Sequence, residues 1–189
     1  LYGQMGQNDG STVDRSSPVQ IGSLTTWKDL GGGSRNSFYA INTAGELFAW
    51  GENGSGRLGL GDTVNRSSPV QVGSLTNWSK VEAGKKHCLA VKTDGTLWLW
   101  GENGDGQLGL EDRTDRNSPV QLGSDTDWSL VSGGSYMSLA IKTDGTMWSW
   151  GQSYRGEGGH TDRVARSSPV QVGALTTWLD IACNGMYQA

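Results

Sequence analysis

Two stretches of the 189-residue chain carry the spacing of a phosphate-cradling loop. Gly54-Ser55-Gly56-Arg57-Leu58-Gly59 and Gly104-Asp105-Gly106-Gln107-Leu108-Gly109 both read G-x-G-x-x-G after an apolar run. Dinucleotide sites use this pattern because its glycines let backbone N–H groups at a helix N-terminus close on a pyrophosphate. Here the next element decides against that chemistry. Leu60 and Leu110 lead into polar segments that end at a proline, and no Gly-Lys-Ser or Gly-Lys-Thr follows, so the glycines read as corners between strands. The acidic loop Glu102-Asn103-Gly104-Asp105-Gly106, with Glu111 and Asp112 behind it, offers oxygens to calcium. It lacks both the alternating Asp-x-Asn spacing and a bidentate Glu at the right offset, and reads as a solvated rim loop.

Nitrogen and sulfur chemistry is equally thin. His87 and His160 are the only histidines and Cys88 and Cys183 the only cysteines, too few for a zinc site or a disulfide framework. His87 and Cys88 are adjacent, so in a strand they point to opposite faces, and no nucleophile-elbow pattern occurs. We therefore expect a non-enzymatic chain without a cofactor or metal. A formal charge of −4 argues against a nucleic-acid partner, and no apolar run exceeds five residues, far short of a membrane helix. An apolar content of 34%, with 30 glycines besides, lies in the globular range and can build a core.

The elements that hold these residues come from a repeat. Ser-Pro-Val recurs at Pro18, Pro69, Pro119 and Pro169, at intervals of 51, 50 and 50 residues, and Trp27, Trp78, Trp128 and Trp178 keep the same intervals. Trp50, Trp100 and Trp150 form a second series, each followed by Gly. Copies of one unit fill the chain, drawn approximately as 1–50, 51–100, 101–150 and 151–189, about 3.7 repeats with both termini inside a unit. Asp94-Gly95 and Asp144-Gly145, each between two apolar runs, predict hairpins with two-residue primed turns, whereas Ala44-Gly45 fits such a turn poorly. In the following strand Trp98 and Trp100 face one way and Leu97 and Leu99 the other, so the sheet is apolar on both faces and must lie between two others. Proline in Pro-Val-Gln-Val belongs at a strand start or on an edge strand. Each unit reads as a four-stranded antiparallel sheet of about 50 residues, and radial stacking of such sheets gives an all-β propeller. A linear stack is the alternative.

Trp50-Gly51-Glu52-Asn53-Gly54-Ser55-Gly56-Arg57-Leu58-Gly59-Leu60-Gly61-Asp62, then Arg66-Ser67-Ser68-Pro69-Val70, then Gly84-Lys85-Lys86-His87-Cys88-Leu89-Ala90, closely resembles the regulator of chromosome condensation repeat. The resemblance covers about the whole chain and implies a seven-bladed β-propeller, of which these residues would be one partial domain. A four-bladed ring lacking one strand is the other possibility. The near-identical, Ser/Thr/Asn/Gly-rich units look like phage and bacterial members of the family. The expectation is a structural or protein-binding scaffold, in a virion or cell-surface assembly rather than the cytoplasm. Guanine-nucleotide exchange on a small GTPase, the activity of the founding eukaryotic member, and a rim-binding enzyme inhibitor or regulator are the alternatives; the regular units leave no room here for the wedge insertion that exchange uses.

Residues shared by every unit should serve the blade, and residues that differ should serve a partner. Arg15, Arg66, Arg116 and Arg166 precede each Ser-Pro-Val, where a guanidinium fork can bond an adjacent carboxylate or loop carbonyls. By contrast Arg35 and Asn36, Lys85-Lys86-His87, Tyr136 and Met137, and Tyr187 follow one structural position and share almost no chemistry. His87 stands where the family pattern favours His, which also fits packing. These residues should crowd onto one rim as contacts for other proteins, including neighbours in a larger assembly and the rest of the same chain.

Overall fold

The computed structural model describes residues 5–7, 17–32 and 36–183. Among the described residues, twelve strands form three four-stranded sheets. The first blade comprises β1 (Trp27–Gly32), β2 (Ser37–Asn42), β3 (Leu47–Gly51) and β4 (Arg66–Gln71). β5 (Trp78–Ala83), β6 (His87–Lys92), β7 (Leu97–Gly101) and β8 (Arg116–Gln121) make the second. β9 (Trp128–Gly133), β10 (Met137–Lys142), β11 (Met147–Gly151) and β12 (Arg166–Gln171) make the third. Within each blade the strands pair antiparallel in chain order. A blade therefore straddles two of the units drawn from the tryptophan series, because the sheet opens at Trp27, Trp78 or Trp128 rather than after Trp50 or Trp100. Pro69, Pro119 and Pro169 fall on β4, β8 and β12, the outermost strands, where a missing N–H breaks no ladder.

Stacking is radial. β1 packs on β5 and β5 on β9, with β2 against β5 and β6 against β9, whereas the fourth strands have no comparable contact and so diverge. Period-two alternation decides what each seam contains. Cys88, Ala90 and Trp100 of the second blade face Tyr39, Ile41 and Leu58 of the first, while Leu89, Leu97 and Leu99 face Val131, Ala140 and Trp150 of the third. Trp78 stands edge-on to Trp98 and Trp100 at 6.1 and 6.2 Å, and Trp128 repeats this with Trp148 and Trp150 at 6.1 and 6.2 Å. Such edge contacts suit the aromatic quadrupoles.

The hairpin turns differ from the expected primed type. The Gly95 N–H donates to Lys92 O at 3.0 Å and the Lys92 N–H to Thr96 O at 3.0 Å, and only Gly95 has positive φ (78°). This is a three-residue loop, a type I turn followed by a left-handed glycine that forms a bulge. Residue 94 sits in the right-handed region, which Ala tolerates as well as Asp. Ala44-Gly45 accordingly adopts the same geometry, with Gly45 at 79° and its N–H donating to Asn42 O at 3.0 Å. In the second blade Asp94 Oδ1 accepts from the Thr96 N–H at 3.0 Å and its hydroxyl at 2.7 Å. In the first, Asn42 Oδ1 does this work, accepting from the Ala44 and Glu46 N–H groups, each at 3.0 Å.

Candidate functional site

Because consecutive strands alternate in direction, the turns between first and second strands and the long loops between third and fourth emerge at one end of the blades. The hairpin turns and interblade connections occupy the other. Backbone bonds lock turn to loop: the Glu52, Glu102 and Gln152 N–H groups donate to the carbonyls of Asn36, Lys86 and Tyr136 at 2.9, 2.9 and 2.8 Å. The variable turns are thus held on rigid supports.

Of the predicted rim residues, Lys85, Lys86, Tyr136 and Met137 come together here. The Lys85 ammonium donates to Tyr136 Oη at 2.9 Å and lies 4.8 Å from that ring's centroid, and the Lys85 N–H donates to Gly134 O at 3.1 Å. Two blades are joined by these contacts. Lys86 pairs with Glu102 at 2.6 Å. Tyr136 and Met137 border a cleft of about 300 Å³ that Glu157 and Cys183 also line. Asn36 holds positive φ (51°) at its own turn, and its carbonyl is the acceptor for Glu52. Arg35 and Tyr187 lie outside the described residues, as does Arg15.

His87 is a correction. It is 1% exposed and faces into the seam between the second and third blades rather than onto the rim. Its Nε2 lies 3.0 Å from Ser138 Oγ, and Ser138 donates in turn to Gln107 O at 2.7 Å. Burial holds the imidazole at about 4, below its usual 6.5, with a backbone contact at Met137 opposing the shift. Cys88 points to the other face, where burial raises its thiol well above the usual range. His160 is in a third place, 2.9 Å from Ser149 Oγ in the third blade.

The two glycine-rich loops spend their polar groups internally. In the second blade Asn103 is wholly buried; its side-chain amide donates to Asp112 O and Oδ1, both at 3.0 Å, and its Oδ1 accepts from the Leu108 N–H at 2.9 Å. Asn53 does the same for Asp62 and Leu58 in the first blade. Sequence reasoning passed over both asparagines, although their fixed place after Trp-Gly-Glu is a usable signal. The acidic loop is likewise engaged: Asp112 takes the Arg116 fork at 2.5 Å while that guanidinium also donates to Thr114 O at 2.7 Å. Arg66 bonds Asp62 and Val64 O, both at 2.6 Å, and Arg166 bonds Asp162 and Val164 O, both at 2.9 Å. The arginine series therefore braces each loop against its own blade.

Two lysines at the opposite end were also unforeseen. Lys92 Nζ sits 3.5 Å over the Trp98 ring, and burial lowers its pKa. Lys142 lies over Trp128 and Trp148 at 4.7 and 5.1 Å; burial pulls its pKa down, but hydrogen bonds to Asp125 and Asp127 outweigh that and raise it. Their shared place, one residue before Thr-Asp-Gly, is the signal in the sequence.

Three four-stranded antiparallel sheets fanned about one axis, sealed by tryptophans and bearing variable turns at one end, define a β-propeller repeat protein. The chain belongs to the family of the regulator of chromosome condensation (RCC1) repeat, which matches residues 44–91 and 94–141, with a second form of the same repeat over 78–107 and 128–157. Over 93 residues it is 32% identical to the human E3 ubiquitin-protein ligase HERC2, covering 47% of this chain and 2% of that protein. It is also 32% identical over 93 residues to the Ultraviolet-B receptor UVR8 of Arabidopsis thaliana, covering 47% of this chain and 20% of the receptor. The chain therefore spans a small part of these relatives' length. Its fold matches Prp20p from Saccharomyces cerevisiae, a structure described with its binding properties to Gsp1p and histones, at a TM-score of 0.73 and 22% identity over 85% of this chain and 42% of that one. Human WBSCR16 matches at a TM-score of 0.62 and 19% identity, over 97% of this chain and 63% of that one.

Proposed function

We propose that the chain is a non-enzymatic, protein-binding scaffold that presents a preformed surface on the end bearing the variable turns. The observation that carries this reading is the Lys85–Tyr136 contact, which fuses turns from two blades into one platform of cationic and aromatic side chains. A tyrosine on a rigid support, as Tyr136 is here, anchors protein interfaces because little conformational entropy is lost when it is covered. A structure of yeast RCC1 (Prp20) with Kap60 bound and the Prp20p work on Gsp1p and histones support protein partners for propellers of this fold. In this reading the three blades belong to a seven-bladed ring, and the Ser/Thr/Asn/Gly-rich units suit a virion or cell-surface assembly.

The test is affinity purification from the native source with two variants. Lys85→Glu combined with Tyr136→Ala should lower partner recovery at least tenfold. Leu75→Asp, at an exposed position (44%) on the opposite end, should leave recovery unchanged. The reverse pattern would move the binding surface to the other end. Accelerated nucleotide release from a small GTPase would replace the scaffold reading with an exchange activity.

A further inference from the structure

The two seams share one indole–carbonyl node but differ in the side chains around it. In each, a loop carbonyl from one blade accepts the indole N–H of a tryptophan in the next: Trp100 Nε1 donates to Arg57 O, and Trp150 Nε1 to Gln107 O, both at 2.8 Å. A hydroxyl completes each node, from Tyr39 to Arg57 O and from Ser138 to Gln107 O. Only the second seam adds an imidazole. At the place of His87 the first blade has Ser37, as the register shows: each stands opposite the glycine that ends the third strand, Gly51 for Ser37 and Gly101 for His87.

The proton inventory fixes the state of that imidazole. The Ser138 hydroxyl has one proton, and at 2.7 Å it goes to Gln107 O, which can only accept. Its 3.0 Å contact with His87 Nε2 must then have the ring N–H as donor. His87 is therefore the neutral Nε2–H tautomer, and its Nδ1 is buried without a hydrogen-bond partner. The Nδ1 edge faces Gly84, where even a Cβ would come within 2.7 Å. A second proton would thus create a buried cation, and the Met137 backbone contact that favours it is outweighed by burial.

Charged and titratable groups around the ring do not relieve this. On its own turn Lys86 is committed to Glu102 at 2.6 Å, and Lys85 to Tyr136 of the neighbouring turn at 2.9 Å. Asp105, on the loop that carries Gln107, interacts with Arg113 and Glu102. Glu82 of β5 and Cys88 of β6 meet on the opposite face, where the thiol donates to Glu82 O at 3.3 Å.

We propose that protonation of His87 unlocks the seam between the second and third blades, a pH-sensitive device that the first seam lacks. The free imidazole titrates near 6.5 and the seam holds it at about 4. A group whose pKa is depressed on folding stabilises the closed state above its free pKa, and that contribution drains away as pH falls from 6.5 to about 4. Opening then becomes about 150-fold more frequent by pH 4 and approaches a limit of about 300-fold below it, the factor equivalent to that pKa difference. Tyr39 and Cys88, which occupy the first seam, both titrate above their ordinary values and do not respond to acid, and Glu82 there is raised by burial and by Asp29, so acid relieves it rather than loosening that seam.

The experiment follows hydrogen exchange of the two indole N–H groups between pH 7 and pH 4, corrected for intrinsic rates, alongside an NMR titration of the His87 ring in the wild-type chain. Trp150 should lose protection toward the 300-fold limit while Trp100 keeps it, and the ring should titrate well below 6. His87→Gln, which retains a donor but cannot be protonated, should make Trp150 exchange independent of pH. Equal loss at Trp100 and Trp150, a His87 pKa at or above 6, or an unaltered Trp150 response in His87→Gln would each overturn the proposal. The first two readouts need only the wild-type chain.

Discussion

At the residue scale, the side chains that hold the loops matter more than those that first suggest chemistry. Asn103 closes its loop with three side-chain bonds in a fully buried setting. In Asn103→Ala the buried Leu108 N–H is stranded, and the expected loss is about 2–4 kcal/mol of stability, since an unmet buried donor costs about 1–3 kcal/mol beyond the bonds removed. Ser153, its counterpart in the third blade, accepts a single bond from the Gly158 N–H at 3.1 Å. Ser153→Ala should cost only about 1 kcal/mol. Urea denaturation of both variants checks the ranking, and equal losses would refute it. The loop aspartates add a separate acid effect. Asp62 and Asp162 are held below 3.8 by Arg66 and Arg166, and Asp112 by the Thr114 N–H and then Arg116. A depressed carboxylate stabilises the fold above its free pKa, so this contribution is lost only as pH falls below about 3.8. Asp112→Asn should flatten the stability profile in that range and leave it unchanged between pH 4 and 6.5, where the depressed imidazoles of His87 and His160 act.

At the element scale, the hairpin turn shows what a sequence can reveal and where it stops. Its glycine was legible, because nothing else accepts φ near 78° beside a carbonyl that a Cβ would strike: Thr126 O lies 2.0 Å from that point at Gly95. Gly95→Ala should therefore destabilise the second blade by about 1–3 kcal/mol. The turn type was not legible from Asp-Gly alone, since both families of hairpin end on a left-handed glycine. Because residue 44 is right-handed, Ala44→Asp should change the thermal midpoint by less than about 0.5 kcal/mol equivalent, whereas a primed turn would reward it. The same limit explains the site. Recurring Trp, Arg and Pro disclosed the blades and their loop braces because every copy repeats them. The inward turn of His87 was hidden, since strand alternation says that His87 and Cys88 point apart but not which of them meets which neighbour.

At the scale of the whole molecule, the described contacts run only between successive blades, first with second and second with third. Stability should then divide into blade terms and seam terms, as it does in other stacked repeats. Leu58 and Leu108 allow a direct test. Each is wholly buried, Leu58 in the first seam and Leu108 in the second, at the same place in its loop. Truncating either to Ala leaves a cavity worth about 2–5 kcal/mol, and one independent contribution per seam predicts losses of similar size. Their local consequences should differ. Leu108→Ala should raise hydrogen exchange in residues 137–151 while residues 37–51, sealed by the intact first seam, keep their protection. Leu58→Ala should reverse that order. Uniform loss of protection across all three blades in both variants would mean that the arc opens only as a whole, and additive seams would then be the wrong description of how this surface is kept rigid.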